Sequence, residues 1–216
     1  MPIKDKKQMT KNEHFFTRSI AILAGGRSSR FGSEKAFAPF LGRRVIDFVL
    51  KACFESGADI YIIANRYKYS QLGFPTFSDH YHGLGPLAGI HSALKNIQDE
   101  RILIVGCDMP LLNSRLIEWM LRLKREEQIT IPEYEGKLQP LHAIYSRSLL
   151  PLIEKRLQQK KLSLYELLGE SSYYKISQKH VVPYCPHGLC FASTNTKEEL
   201  KRLEAAAPAY FEKVLS

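Results

Sequence analysis

The chain has 216 residues, 44% of them hydrophobic and 25% charged, a balance that excludes wholesale disorder and fits one domain with a sizeable core. Its formal charge of +9 favours an anionic partner without naming one. No apolar run approaches the roughly 18 residues of a membrane span.

Residues 1–18 hold five basic and two acidic side chains and lack the apolar core of a secretory signal. They read as a flexible basic tail ahead of a single domain over 19–216. A cytoplasmic location and four reduced cysteines are the matching expectations. Next come a short buried strand at 20–24 and a helix at 45–54, where apolar residues fall at 45, 46, 49, 50 and 53. A β-branched strand at 59–64 precedes a helix at 86–94 with Pro86 in its first turn. A strand at 102–105, a helix at 116–123 and an extended piece at 129–131 come after it. Alternating strands and helices predict an α/β protein with a mostly parallel sheet. Past residue 132 the spacing predicts a turn at 133–137, a strand at 141–145 and a helix at 148–157. Ser163 and Thr196 each head a capping box, and the second helix is expected to end before Pro208.

Residues 20–35 read IAILAGGRSSRFGSEK. Paired glycines after a strand let backbone N–H groups approach a phosphate chain, and Arg27, Arg30 and Lys35 can neutralise it. The loop is neither a Walker A motif nor the Rossmann G-x-G-x-x-G. A glycine turn with solvated cations is the bland alternative.

From Leu23 to Lys35 the sequence resembles the L-x-G-G-x-S-x-R-hydrophobic-G-x-D/E-K loop of nucleotidyltransferases with a glycosyltransferase-A-like fold. Within that superfamily it is most similar to the molybdenum cofactor guanylyltransferases, at intervals from Ile20 to about Leu203. The resemblance implies a three-layer α/β/α sandwich with a Rossmann-like sheet. It also implies transfer of GMP from GTP to the phosphate of molybdopterin, or of its molybdenum-loaded form, with release of pyrophosphate. Transient contact with cofactor-insertion proteins or molybdoenzymes is compatible with it, whereas a nucleic acid or membrane partner is not expected.

Later motifs extend the likeness. Asn65 at a strand end can read a base or a ribose, and it matches a nucleotide contact of the family, as does Asp79. Each alone would be a loop residue. The string Gly85-Pro86-Leu87-Ala88-Gly89 opens a helix and matches the family's wall near the base and ribose. With Leu23, Ala24, Gly25, Gly26, Lys35 and Asp108, the residues Asn65, Asp79, Gly85, Pro86 and Leu87 form the implied nucleotide site. Asp108, in Cys107-Asp108-Met109-Pro110, comes just after a buried strand, where α/β sheets bind ligands. The family's C-D-x-P motif assigns it to Mg²⁺, a cation that takes one or two carboxylates plus substrate phosphates. Arg30, Lys35 and Asp108 are the expected catalytic set. Pro140, Asn195 and Thr196 are the expected acceptor contacts, from segments like the family's P-L-x-A and F-x-N-x-N-T-x-E-E-L. Ser193 departs from the first asparagine of the latter.

His142 is tempting as a base, but a phosphate nucleophile is already anionic and needs none. His180, Cys185, His187 and Cys190 offer zinc-ligand types without zinc spacing, on a stretch that reads as strands. They are taken as structural. The rival functions are a cytidylyl- or other nucleotidyltransferase of the same fold, a non-catalytic nucleotide-binding regulator, and a nucleic-acid-binding protein. No recognition helix or zinc finger supports the last.

Overall fold

A computed structural model describes residues 17–24 and 34–215. Residues 1–16 of the expected tail and the loop residues Gly25, Gly26, Arg27 and Arg30 lie outside the described residues, whereas Thr17 is buried and the Arg18 carbonyl accepts from the Asp59 amide (2.9 Å), so these two belong to the folded domain rather than to the tail.

In chain order the elements are β1 (Ser19–Leu23), β2 (Pro39–Phe40), β3 (Arg43–Arg44), α1 (Val45–Glu55), β4 (Asp59–Ile63), β5 (Thr76–Phe77), α2 (Pro86–Asn96), β6 (Arg101–Gly106), α3 (Ser114–Leu121), β7 (Ile129–Tyr134), β8 (Lys137–Leu138), β9 (His142–Ser146), α4 (Leu150–Gln158), α5 (Leu164–Gly169), β10 (Tyr173–Ile176), α6 (Gln178–Val181) and α7 (Lys197–Leu215). The main sheet runs β10-β7-β9-β6-β1-β4-β5, with β8 paired to β7. Along that path only β9 opposes its neighbours, so the sheet is mostly parallel, as the alternation of elements predicts.

Side chains of the central strands alternate between two cores, as the period of a strand requires. Ile20, Ile22, Leu103 and Val105 face a layer built from α1, α3 and α7. Ala21, Leu23, Ile102 and Ile104 face α2, α4 and α5. Strands buried on both faces explain why these segments read as continuous apolar runs rather than alternating ones. The result is the α/β/α sandwich that the family resemblance implies.

Three expectations are corrected. The last helix does not stop before Pro208; α7 continues through it to Leu215. Leu200, Leu203, Ala207 and Tyr210 form one buried stripe across the proline, and packing of that stripe outweighs the lost backbone bond. The stretch around 180–190 is not strands but α6 and then a 3-10 segment, Pro186–Phe191, in which His187 and Gly188 have positive φ. That reversal brings the Cα atoms of Cys185 and Cys190 to 5.7 Å, within bridging range, and the two form a disulfide. The four cysteines are therefore not all reduced: Cys53 and Cys107 are the free ones. With both sulfurs joined, Cys185 and Cys190 are no thiolate ligand pair. No helix among the described residues is long and apolar enough to cross a membrane.

Candidate active site

β1 lies between β4 and β6, parallel to both, so the strand order reverses there. The register aligns Leu23 with Ile63 on one side and with Gly106 on the other. Three strands thus end level, and the loops leaving their carboxyl ends line the same crevice. The Ala24 amide donates to the Ile63 carbonyl (2.8 Å) and the Cys107 amide to the Leu23 carbonyl (3.1 Å), which carries the pairing one step past the strands. A cleft of about 570 Å³ opens there, lined by Leu23, Ala24, Lys35, Asn65, Asp79, Gly85, Pro86, Asp108 and Asn195 among others. Nine residues named from the sequence therefore meet in one place.

On one side of the cleft, Lys35 begins a 3-10 turn, Lys35–Phe37. Its Nζ donates to Asn195 Oδ1 (2.7 Å) and lies 3.6 Å from Asp108 Oδ2. Asn195 comes from the segment before α7. It is fixed by donating from Nδ2 to Ser193 Oγ (2.7 Å) and from its amide to Glu199 Oε2 (2.8 Å). Ser193, the departure from the family pattern, thus orients the asparagine that remains. Buried Thr194 donates from its amide (2.9 Å) and from Oγ1 (3.3 Å) to the Asp108 carbonyl, tying this segment to the loop after β6. A lysine, a carboxylate and an amide from three distant segments converge with no other acid close enough to form a cluster of three or more metal-ligand types among the described residues.

On the other side, Asn65 and Asp79 clasp each other. Asn65 Nδ2 donates to Asp79 Oδ2 (2.9 Å), and the Asp79 amide donates to Asn65 Oδ1 (2.8 Å). Burial pushes the Asp79 carboxyl up, against the opposing effect of the Asn65 hydrogen bond. Asp79 Oδ1 is buried with no hydrogen-bond partner among the described residues, so one acceptor is left for a ligand. The back wall is the start of α2. Gly85, at φ 71, turns the chain into Pro86, which has no N–H, and the Ala88 and Gly89 amides donate to the Gly85 carbonyl (3.1 and 3.4 Å), so this helix start is a largely satisfied backbone wall. A Cβ on Gly89 would lie 3.1 Å from Leu23 Cδ1, so the glycine lets the helix sit close against β1.

Other named residues take different places. Leu87 is fully buried in the core against the sheet, so its side chain cannot reach a ligand. Pro140 is not a cleft residue: its carbonyl accepts from Tyr145 Oη (2.8 Å), and Leu141 lines the cleft in its stead. Thr196 caps α7, its Oγ1 accepting from the Glu199 amide (3.1 Å) and its own amide donating to Glu199 Oε2 (2.9 Å). His142 stands in β9, fully buried edge-on to Phe191, and burial pushes its pKa down to about 3. It stays neutral and outside the cleft. Gly25, Gly26 and Arg30 fall outside the described residues. Sequence reading missed Tyr69, Gly106, Cys107 and Leu141 as cleft residues, and Thr194 as their tie. Of these, Gly106 and Cys107 had a signal in their adjacency to Asp108, and Leu141 in the P-L-x-A segment.

Crevices at a strand-order reversal take nucleotides in doubly wound sheets. The fold is that of the nucleotidyltransferase class. Residues 20–174 match the MobA-like NTP transferase domain, and the chain belongs to that family. It is 31% identical over 197 residues to the probable molybdenum cofactor guanylyltransferase of Carboxydothermus hydrogenoformans, covering 91% of this chain and 94% of that one. The probable molybdenum cofactor guanylyltransferase of Clostridium perfringens (strain ATCC 13124) is 42% identical over 142 residues, 65% of this chain and 71% of the relative. Among solved structures, molybdopterin-guanine dinucleotide biosynthesis protein A from Archaeoglobus fulgidus shares the fold, with a TM-score of 0.77 at 22% identity over 88% of this chain and 99% of that one.

Proposed function

We propose that this protein transfers GMP from GTP to the terminal phosphate of molybdopterin, or of its molybdenum-loaded form, and releases pyrophosphate. The observation that carries the reading is the convergence of Lys35, Asp108 and Asn195 in the same cleft as the Asn65–Asp79 clasp. Guanine presents two adjacent donors, N1–H and N2–H₂, on one edge. The unpartnered Asp79 Oδ1 is an acceptor suited to them, with Asn65 keeping the carboxylate turned to the cleft.

In the reaction, an oxygen of the acceptor phosphate attacks the α-phosphorus of GTP. A new P–O bond forms as the bond to the β-phosphate bridging oxygen breaks. The nucleophile carries its own charge, so the chain need supply no strong base, which agrees with the sequestered His142. Positioning and electrostatics remain as the protein's contribution. Lys35 is placed to neutralise the outer phosphates. Asn195, held by Ser193 and Glu199, presents its amide between the lysine and the acceptor side. The α2 start walls the nucleotide in. Arg30 and the Gly25–Gly26 amides are assigned to the triphosphate on sequence grounds.

Asp108 suits Mg²⁺. It offers a hard oxygen, about one-fifth exposed, in a cleft poor in other ligands, the donor set of an ion completed by water and phosphates. When bound, such an ion supplies charge neutralisation for the reacting phosphate oxygens.

The test is thermal unfolding with Mg²⁺ and each of GTP, CTP, ATP and UTP, and then pyrophosphate release with molybdopterin. A ligand at 100 times its Kd adds about 2.7 kcal/mol. The expected result is a GTP-selective shift and a rate that falls roughly 10²–10³-fold in Lys35→Ala. A CTP-selective shift would move the reading to cytidylyl transfer. No shift with any nucleotide, or unchanged turnover in Lys35→Ala, would overturn it.

A further inference from the structure

The loop that carries Asp79 hangs from two neighbours by two successive amides. The Asp79 amide donates to Asn65 Oδ1, just after β4, and the next amide, of His80, donates to Ser92 Oγ on α2 (3.0 Å). Ser92 is fully buried, and its hydroxyl proton is committed to the Ala88 carbonyl (3.0 Å), so toward His80 the oxygen acts as an acceptor. Beside it, His91 Nε2 lies 3.1 Å from Glu154 Oε1, and its ring meets those of His80 and Tyr81 edge-on, at 5.6 and 5.0 Å between centroids. The same helix begins with Pro86, at the cleft wall. One helix therefore both walls the cleft and holds the residues that follow Asp79.

The helix itself has no need of the hydroxyl. Its own ladder already serves the Ala88 carbonyl, and alanine is the better residue for a buried helical position. A buried O–H is costly unless it is bonded, and the bond this side chain makes outside α2 is the one from His80. Asp79 Oδ2 is taken by Asn65 Nδ2, and Oδ1 is the unpartnered atom assigned to guanine. Where Oδ1 points depends on the backbone at 79–80, which Asn65 fixes from one side and Ser92 from the other. We propose that Ser92 is a positioning residue: it fixes the backbone behind Asp79 and so sets the choice of a base whose ring N–H stands beside an exocyclic amine. The proposal rests on the guanine reading of Asp79 for its effect on affinity, but not for the tether itself.

Ser92→Ala removes the acceptor and keeps the helix. Two readouts are taken from the full-length protein. One is the Kd, by titration calorimetry with Mg²⁺, for GTP and for inosine triphosphate, which lacks only the exocyclic amine. The other is amide hydrogen exchange in peptides covering residues 78–84, without nucleotide. Wild type is expected to bind GTP about 10-fold more tightly than inosine triphosphate, the order of one hydrogen bond to a charged group. Ser92→Ala should cut that preference to about twofold by weakening GTP alone, and exchange over 78–84 should become several-fold faster. A merely structural loss would weaken both nucleotides alike. In an Asp79→Ala background, adding Ser92→Ala should cost nothing more. Ser92→Cys, which keeps the size and offers a poorer acceptor, carries the test if Ser92→Ala fails to fold. An unchanged preference, an equal loss for both nucleotides, a further loss in the Asp79→Ala background, or unchanged exchange would each overturn the proposal. Wild type that binds both nucleotides equally would overturn the guanine reading of Asp79, while exchange would still decide the tether.

Discussion

A methyl group on Gly106 would sit 2.9 Å from Asp108 Oδ1 and 3.3 Å from Met109 Sδ. The obstructed atoms are ends of rotatable side chains, so the backbone can keep its course while the carboxylate swings aside. Gly106→Ala is therefore expected to lower pyrophosphate release by at least about 10-fold while the melting temperature moves by only a few degrees. Equal turnover in the variant would mean that Asp108 is not held as tightly as its neighbours imply. Lys35, Asp108, Asn65 and Asn195 were legible in the sequence because their chemistry is written in residue type and in place relative to strand and helix ends. Ser193 and Thr194 were not. Their importance lies in what they touch: Thr194 bonds a distant segment, and Ser193 acts across a local turn with no periodic pattern.

At the scale of elements, the strands and most helices are set by apolar spacing and caps, whereas α7 is not. Pro208 would stop an isolated helix, since it lacks the N–H that bonds the carbonyl of residue 204. The helix persists because Leu200, Leu203, Ala207 and Tyr210 are buried on one stripe, with Pro208 itself exposed. Pro208→Ala restores the missing donor without touching the stripe. It should raise the unfolding free energy by about 1–3 kcal/mol, read from the urea midpoint. A loss of stability would show instead that the proline is shaping the helix for its packing. The 180–190 stretch failed as strands for a related reason. Two residues in the left-handed region, His187 and Gly188, fold it back onto a disulfide. A Cβ at Gly188 would fall 2.5 Å from the Tyr134 ring, a clash that local spacing cannot announce.

For the molecule as a whole, buried histidine links stability to pH. His142 is fully buried, both ring nitrogens lack a partner among the described residues, and burial pushes its pKa from 6.5 to about 3. The folded chain therefore refuses a proton that the unfolded chain accepts. This contribution to stability is whole above about pH 6.5 and is lost progressively as the pH falls toward 3. Between about pH 8 and about pH 5 the loss amounts to about 2 kcal/mol. His91, also lowered by burial although its Glu154 partner opposes this, acts in the same direction. Denaturant titrations at these pH values should show the slope, and His142→Phe should remove most of it. A parallel slope in the variant would place the acid sensitivity elsewhere.

By itself the sequence determined the class of fold and the residue types of the site, because strand burial, helix spacing and a glycine loop leading to a lysine are local patterns. Of the +9 charge, Lys35 brings one positive group into the cleft, beside Asp108. Only the tertiary structure decided that Lys35, Asp108 and Asn195 meet. Their meeting depends on β1 being flanked by β4 and β6 in a register that ends all three strands level, and strand order is a pairing between distant segments. The same holds for the disulfide and for the helix that runs through Pro208. In each case long-range packing overrules the local preference from which a sequence is read.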